Sequence, residues 1–168
     1  LKKLVFVIGG ARSGKSSFAL KLASGIVGRK AFLATMKPLD DEMKARAEAH
    51  GRERGPEWEC FEEEVRLPGL LRELDGYGVV LVDCVTLWLS NIMLSGMGVE
   101  GESEKLLKAL KECGANVFVV SNEVGMGIVP ENALARRFRD EAGRLNRLIA
   151  GAADEVYAII AGIPVKIK

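Results

Sequence analysis

An α/β fold, with a mostly parallel sheet carrying helices on both faces and a terminal antiparallel hairpin, is predicted for this 168-residue chain. Three observations predict it. Apolar runs of strand length alternate with segments of helical periodicity, which is the pattern of a parallel sheet crossed by helices. Several of those runs, Leu4 to Ile8, Val79 to Val82 and Val117 to Val120, are apolar without a break. Strands buried on both faces read this way. The last two strand-like segments, Glu155 to Ala161 and Val165 to Ile167, are separated only by Gly162-Ile163-Pro164. That gap is too short for a parallel crossover and asks for an antiparallel return.

The first strand, Leu4 to Ile8, runs into Gly9-Gly10-Ala11-Arg12-Ser13-Gly14-Lys15-Ser16, and a helical segment follows through Phe18, Leu20, Leu22 and Ala23. Strand, glycine-rich turn and helix are the context that gives G-x-x-x-x-G-K-[ST] its meaning as a phosphate-binding loop. Gly9 and Gly14 let the backbone approach a polyphosphate, while N–H groups at the helix start supply donors and a favourable dipole. Lys15 is placed to reach the β- and γ-phosphates and Ser16 to hold Mg²⁺. A P-loop NTPase-type fold that binds a nucleoside triphosphate is therefore expected.

Lys30 to Thr35 reads as a second strand ending at Met36. Asp40 or Asp41 then caps a predicted helix that runs to about His50 and stops at Gly51. Trp58, Cys60 and Phe61 mark a short extended segment, and Leu67 to Leu74 a short amphipathic helix. Tyr77 to Asp83 is an apolar strand ending in an acid, the pattern of a second Mg²⁺-holding element, with Asp83 as ligand. Read alone, Asp83 also has a lesser reading as the cap of the next helix. Glu102 to Cys113 is helical, with Leu106, Leu107 and Leu110 predicted to face inward. Asn116 to Ser121 is another buried strand. It leads into the glycine-rich Asn122 to Pro130, at the strand end where open α/β sheets bind ligands. A long helix covers about Glu131 to Ala152.

Composition narrows the class. A chain of 18.2 kDa with 48% hydrophobic and 28% charged residues suits one globular domain over residues 1–168. The formal net charge of +1 offers no argument for nucleic acid or an anionic membrane. The most apolar stretch, Val79 to Leu94, contains Asp83, Ser90 and Asn91 and is too short and polar to span a bilayer. Three scattered cysteines, Cys60, Cys84 and Cys113, lack metal-ligand spacing and suggest reduced thiols in the cytoplasm.

His50 is the only histidine. On the inner face of its predicted helix it has a structural reading. Yet Arg52 and Arg54 beside it suit phosphates, and a neutral imidazole is a competent nucleophile at phosphorus.

The phosphate loop, Ala34-Thr35, Asp40-Asp-Glu-Met43 with Arg46 and His50, Asp83 to Thr86, Ser121-Asn-Glu-Val-Gly-Met-Gly-Ile-Val-Pro130, Arg139-Asp140, Gly143-Arg144 with Asn146, Ala152 to Val156 and the closing Gly162 to Lys168 occur in this order. Together they resemble the bifunctional adenosylcobinamide kinase/adenosylcobinamide-phosphate guanylyltransferases of cobalamin biosynthesis, over essentially the whole chain. The resemblance implies two reactions. The γ-phosphoryl group of ATP or GTP passes to the hydroxyl of adenosylcobinamide. GTP then reacts at its α-phosphorus with His50, and adenosylcobinamide phosphate takes the GMP to give adenosylcobinamide-GDP. The implied catalytic residues are His50 and Lys15. Nucleotide contacts carry over to Gly9, Gly10, Ala11, Arg12, Ser13, Gly14, Lys15 and Ser16. They also carry over to Ala34, Thr35 and Met36, to Gly51, Arg52, Glu53 and Arg54, and to Glu62 and Asp83. Mg²⁺ would rest on Ser16 and Asp83, and a homotrimer is the implied assembly. Glu123 is the expected base for the kinase step. Two alternatives stay open: a kinase without guanylyl transfer, in which His50 is structural, and a P-loop GTP-binding switch. The switch would want an Asn-Lys-x-Asp motif, which the sequence lacks.

Overall fold

The computed structural model describes residues 2–36 and 55–168. The predicted helix ending at His50 therefore lies outside the described residues. Among the described residues seven strands form one sheet: β1 (Leu4–Gly9), β2 (Lys30–Ala34), β3 (Trp58–Glu62), β4 (Val79–Asp83), β5 (Asn116–Asn122), β6 (Glu155–Ile160) and β7 (Ile163–Lys166). Their order is β3-β2-β4-β5-β1-β6-β7. Every pairing is parallel except β6 with β7.

Side chains alternate across the sheet, and both faces are covered. Leu4 and Phe6 of β1 enter the larger core with Leu33, Val80, Val82, Val117 and Val119. Helices α2 (Leu67–Glu73), α3 (Val85–Leu94), α4 (Val99–Glu112) and α5 (Ala133–Ala152) contribute to that core. Val5 and Val7 point the other way, joining Ala19 and Ala23 of helix α1 (Lys15–Ser24) with Phe32, Leu81, Phe118 and Val120. Burial on both sides is why these strands read as unbroken apolar runs.

Two boundaries differ from expectation. Helix α4 starts at Val99, so its buried stripe is Val99, Ser103, Leu106 and Leu110, at i, i+4, i+7 and i+11, with Ala109 beside it. Leu107 falls off that stripe and is only half-buried. In the hairpin, Ile163 and Pro164 belong to β7, and the connection is Ala161-Gly162. Both residues have positive φ, 49° and 83°, the twist a two-residue hairpin turn needs. Pro164 is tolerated because β7 is an edge strand.

The start of β6 is pinned by charge. Glu155 accepts from Lys3 Nζ at 2.5 Å and from the Tyr157 hydroxyl at 2.7 Å, with Lys166 Nζ at 3.2 Å. The hydrogen bond from Lys3, then those from Tyr157 and Lys166, depress the Glu155 carboxyl to about 2. A folded-state pKa below the unfolded one stabilises above the unfolded pKa, and the benefit is lost as pH falls toward 2. Wild type should therefore lose Tm more steeply than Glu155→Gln between roughly pH 4.5 and pH 2. Parallel acid profiles of the two proteins would refute the assignment.

Candidate active site

The sheet places a crevice where its connections diverge. The chain leaves β1 through α1 on one face and leaves β5 through α5 on the other, so the strand ends at Gly9 and Asn122 open between two helices. Ligands of open α/β sheets bind at such a switch point.

Gly9 to Ser16 wraps the start of α1. Gly14 is the N-cap residue, with φ 90°, which a glycine adopts without strain. Gly14 offers no side-chain cap, and the first turn has no acid. Phe18 N makes the first helical bond, to Gly14 O at 3.0 Å, and Ser13 N donates to Gly10 O at 3.3 Å, so the loop turns directly into a helix start of the kind that binds anions. Lys15 is buried, and its Nζ donates to Gly10 O at 2.9 Å, so the ammonium lies across the mouth of the loop. Arg12 has φ 55° and is exposed. The Ser13 hydroxyl is buried with no hydrogen-bond partner among the described residues. The turn of the terminal hairpin closes beside this loop: a Cβ on Gly14 would stand 3.7 Å from Gly162 Cα.

The two leading glycines are not equivalent. A Cβ at Gly9 would meet Ser13 Oγ at 2.6 Å and the Ile159 carbonyl oxygen at 2.8 Å, whereas at Gly10 it would meet nothing within 4 Å. Gly9→Ala should destabilise the fold by about 1–3 kcal/mol, the cost of forcing packed backbone apart. Gly10→Ala should change stability by less than about 0.5 kcal/mol. Urea denaturation of the pair checks this, and equal midpoints would count against it.

The other sequence-predicted residues lie along the same sheet edge. Ala34, Glu62 and Asp83 are register partners at the C-terminal ends of β2, β3 and β4. Adjacent strands are about 4.8 Å apart, so Asp83, two strands from β1, lies about 10 Å across the sheet from the phosphate loop. Glu62, four strands away, lies about 19 Å across. Glu62 thus lies well away from the phosphate loop along the same sheet edge. Ser16 is half-buried in the first turn of α1, and Met36 is half-buried just beyond β2. His50, Gly51, Arg52, Glu53 and Arg54 lie outside the described residues.

Asp83 is not the N-cap residue of the following helix. The N-cap of α3 is Cys84, whose side chain makes no cap bond, and Asp83 is the last residue of β4. Thr35 holds this turn: its hydroxyl donates to Cys84 O at 2.7 Å and accepts from Cys84 N at 3.0 Å. Its own carbonyl accepts from Asn91 Nδ2 at 2.8 Å. The fully buried Thr35 side chain therefore supports the Asp83 turn. Cys84 is inert. Burial first, and then the charge of Asp83, push its thiol up to about 11. None of the three cysteines forms a disulfide.

Between Asp83 and the loop stands the end of β5. Glu123 N donates to Gly9 O at 3.0 Å, and its carboxylate accepts from Gly125 N at 2.6 Å. Behind it lies a feature that local pattern did not reveal, a buried polar ring of Thr86, Ser121, Asn122 and Asn146. Its members stand in three of the segments that carry the resemblance, and nothing local in the sequence joins them.

A hydroxyl at Ser16 and a carboxylate at Asp83 are hard oxygen donors. No cluster of three or more His, Cys, Asp or Glu able to hold a metal exists among the described residues. The Ser16 and Asp83 oxygens are of the kind that suits Mg²⁺, which binds through one or two protein oxygens together with substrate phosphates and water. No helix among the described residues is long and apolar enough to cross a membrane.

Comparison with known proteins adds to this geometry. Residues 5–167 match the family model described as cobinamide kinase / cobinamide phosphate guanyltransferase. The bifunctional adenosylcobalamin biosynthesis protein CobU of Escherichia coli (strain K12) is 41% identical over 181 residues, covering 98% of this chain and 99% of that protein. The corresponding protein CobP of Pseudomonas aeruginosa is 40% identical over 165 residues, covering 96% and 95%. Among solved structures, an ATPase from a type III secretion system of pathogenic bacteria superposes with a TM-score of 0.56 at 10% identity. The match covers 98% of this chain, which spans 56% of that ATPase. A protein from Pyrococcus horikoshii OT3 superposes with a TM-score of 0.54 at 10% identity, covering 99% of this chain and 86% of that one. At such identity these two speak for the shared fold alone.

Proposed function

The chain belongs to the cobinamide kinase / cobinamide phosphate guanyltransferase family, and from that premise we propose how its residues divide two nucleotide reactions between them. The protein is a bifunctional enzyme of cobalamin biosynthesis. The observation that carries the site assignment is the shared strand-end edge, with the phosphate loop at one point and Asp83, Ala34 and Glu62 in register further along it.

In the kinase step the γ-phosphate of ATP or GTP lies on the N–H groups of Gly10 to Ser16, with Lys15 turned from Gly10 O toward it. The hydroxyl oxygen of adenosylcobinamide bonds to the γ-phosphorus as the bond to the β-phosphate oxygen breaks, and Glu123 takes the hydroxyl proton. Preorganised donors aimed at the transferring group supply the largest catalytic term in such reactions. Mg²⁺ held by Ser16 and Asp83 would neutralise phosphate charge. In the transferase step an imidazole nitrogen of His50 bonds to the α-phosphorus of GTP and pyrophosphate leaves. The phosphate of adenosylcobinamide phosphate then attacks that phosphorus, releasing the histidine and forming adenosylcobinamide-GDP. Arg52 and Arg54 would steady the pyrophosphate, while Gly51, Glu53, Met36 and Glu62 border the remainder of the nucleotide.

The whole chain acts as one catalytic domain in this reading, in the cytoplasm where both triphosphates are supplied, and as a homotrimer. Sedimentation giving three times the chain mass tests the assembly. The test of function is a time course with adenosylcobinamide, Mg²⁺ and GTP. Successive appearance of adenosylcobinamide phosphate and adenosylcobinamide-GDP is expected. Phosphorylation that stops there would leave a kinase alone, and nucleotide binding without either product would leave a switch.

A further inference from the structure

Six polar or charged side chains are buried among the described residues, and three of them, Thr86, Ser121 and Asn146, form a single network with the Asn122 backbone. Its proton directions can be assigned. Ser121 Oγ donates to Asn146 Oδ1 at 2.6 Å. Its one proton is then spent, so across the 3.1 Å contact the Thr86 hydroxyl donates to Ser121 Oγ. Thr86 Oγ1 in turn accepts from Asn122 N at 2.6 Å, and Asn146 Nδ2 donates to Asn122 O at 3.3 Å, which closes the ring. The opposite amide orientation would set Asn146 Oδ1 against a carbonyl oxygen, so only one orientation satisfies every member.

Such a ring adds little net stability, because replacing a satisfied buried network by apolar groups of the same shape can be nearly neutral. What it does supply is a fixed geometry, and its members sit where geometry matters. Thr86 lies in the first turn of α3, three residues after Asp83. Asn122 is the register partner of Gly9, and the next residue donates its N–H to Gly9 O at 3.0 Å. Strand β5 separates Asp83 from the phosphate loop, so the ring ties the Asp83 turn to the first glycine of the loop across that strand. Asn146 reaches it from the middle of α5, on the face away from α1.

We propose that Asn146 is a positioning residue for the nucleotide reactions, setting through Ser121 and Thr86 the place of Asp83 relative to the phosphate loop. This rests on the nucleotide-transfer reading above. The full-length chain is compared with Asn146→Leu, Thr86→Val and Thr86→Ser, and with Ile149→Val, which trims one buried methyl on the same helix. Two readouts are taken: kcat and KM for phosphorylation of adenosylcobinamide, and the Mg²⁺ concentration at which binding of a fluorescent GTP analogue half-tightens. Asn146→Leu and Thr86→Val should lower kcat about 10- to 100-fold, the scale of a sub-ångström to ångström misplacement, with nucleotide KM changed less than about threefold. Their Mg²⁺ midpoints should rise about tenfold. Thr86→Ser, which keeps the hydroxyl, should resemble wild type. Ile149→Val should lose Tm only. If Asn146→Leu and Thr86→Val behave like Ile149→Val, the ring is packing and the proposal falls. If Asn146→Leu does not fold, the Thr86 pair decides. If wild type binds nucleotide yet transfers nothing, the functional reading fails by itself, and the Mg²⁺ midpoints still judge the ring.

Discussion

Replacing Lys15 by Met is expected to lower kcat for both transfer reactions by about 10²–10³-fold, the scale lost when one preorganised donor to a developing charge is removed. Lys15 is the only cationic side chain of the loop that the fold buries, and its Nζ is already held at the loop mouth by Gly10 O. Arg12 stands exposed in the same loop and cannot take its place from there. The loss should appear mainly in kcat, because the charge is needed most where negative charge moves during transfer. Folding should be little affected, since methionine keeps the apolar stem and Gly10 O lies in an exposed turn that water can reach. Steady-state rates with ATP and GTP, alongside a thermal melt, check both statements. A variant with wild-type kcat would remove Lys15 from the chemistry.

His50→Ala is expected to separate the two activities. Guanylyl transfer should fall by as much as about 10⁶-fold, the scale reached when an enzyme loses its covalent nucleophile. Phosphorylation of adenosylcobinamide should continue within a few-fold of wild type, because the γ-phosphate is handled by the loop. The check is GTP labelled at the α-phosphate, incubated with Mg²⁺ and then denatured. Acid-labile, base-stable label should stay on the wild-type polypeptide and be absent from the variant. Equal labelling of both would move the nucleophile to another side chain. Since an imidazole attacks only when unprotonated, labelling should also fade in acid while the protein remains folded.

Several features were legible because they are local. Strand β1, the phosphate loop and α1 follow from Leu4 to Ala23, where an apolar run, two required glycines and a helical repeat are adjacent in sequence. Asp83 was ambiguous for the same reason: an acid between a strand and a helix satisfies both the ligand and the cap pattern. The structure removes the cap reading by giving that position to Cys84. Leu107 was misplaced because it stands about 100° round the helix from Leu106, and the core covers only the stripe of Val99, Ser103, Leu106 and Leu110 with Ala109. Ile163 and Pro164 looked like a turn by composition, yet the positive φ values at Ala161 and Gly162 complete the reversal first.

Thr35 shows the limit most plainly. The family resemblance carries a nucleotide contact over to Thr35, and it gave no sign that the hydroxyl is held by both backbone groups of Cys84, 49 residues away. The ring of Thr86, Ser121, Asn122 and Asn146 likewise joins residues 24 to 36 positions apart. Taken by itself, the sequence determined the kind of sheet, the anion-binding loop and the chemical family, because periodicity, glycine requirements and motif order are properties of neighbouring residues. Only the tertiary structure decided which strand ends share an edge, how far Glu62 stands from the loop, and which polar groups satisfy one another. Those depend on strand order, and hydrogen bonds between distant segments exist only once the sheet has brought them together.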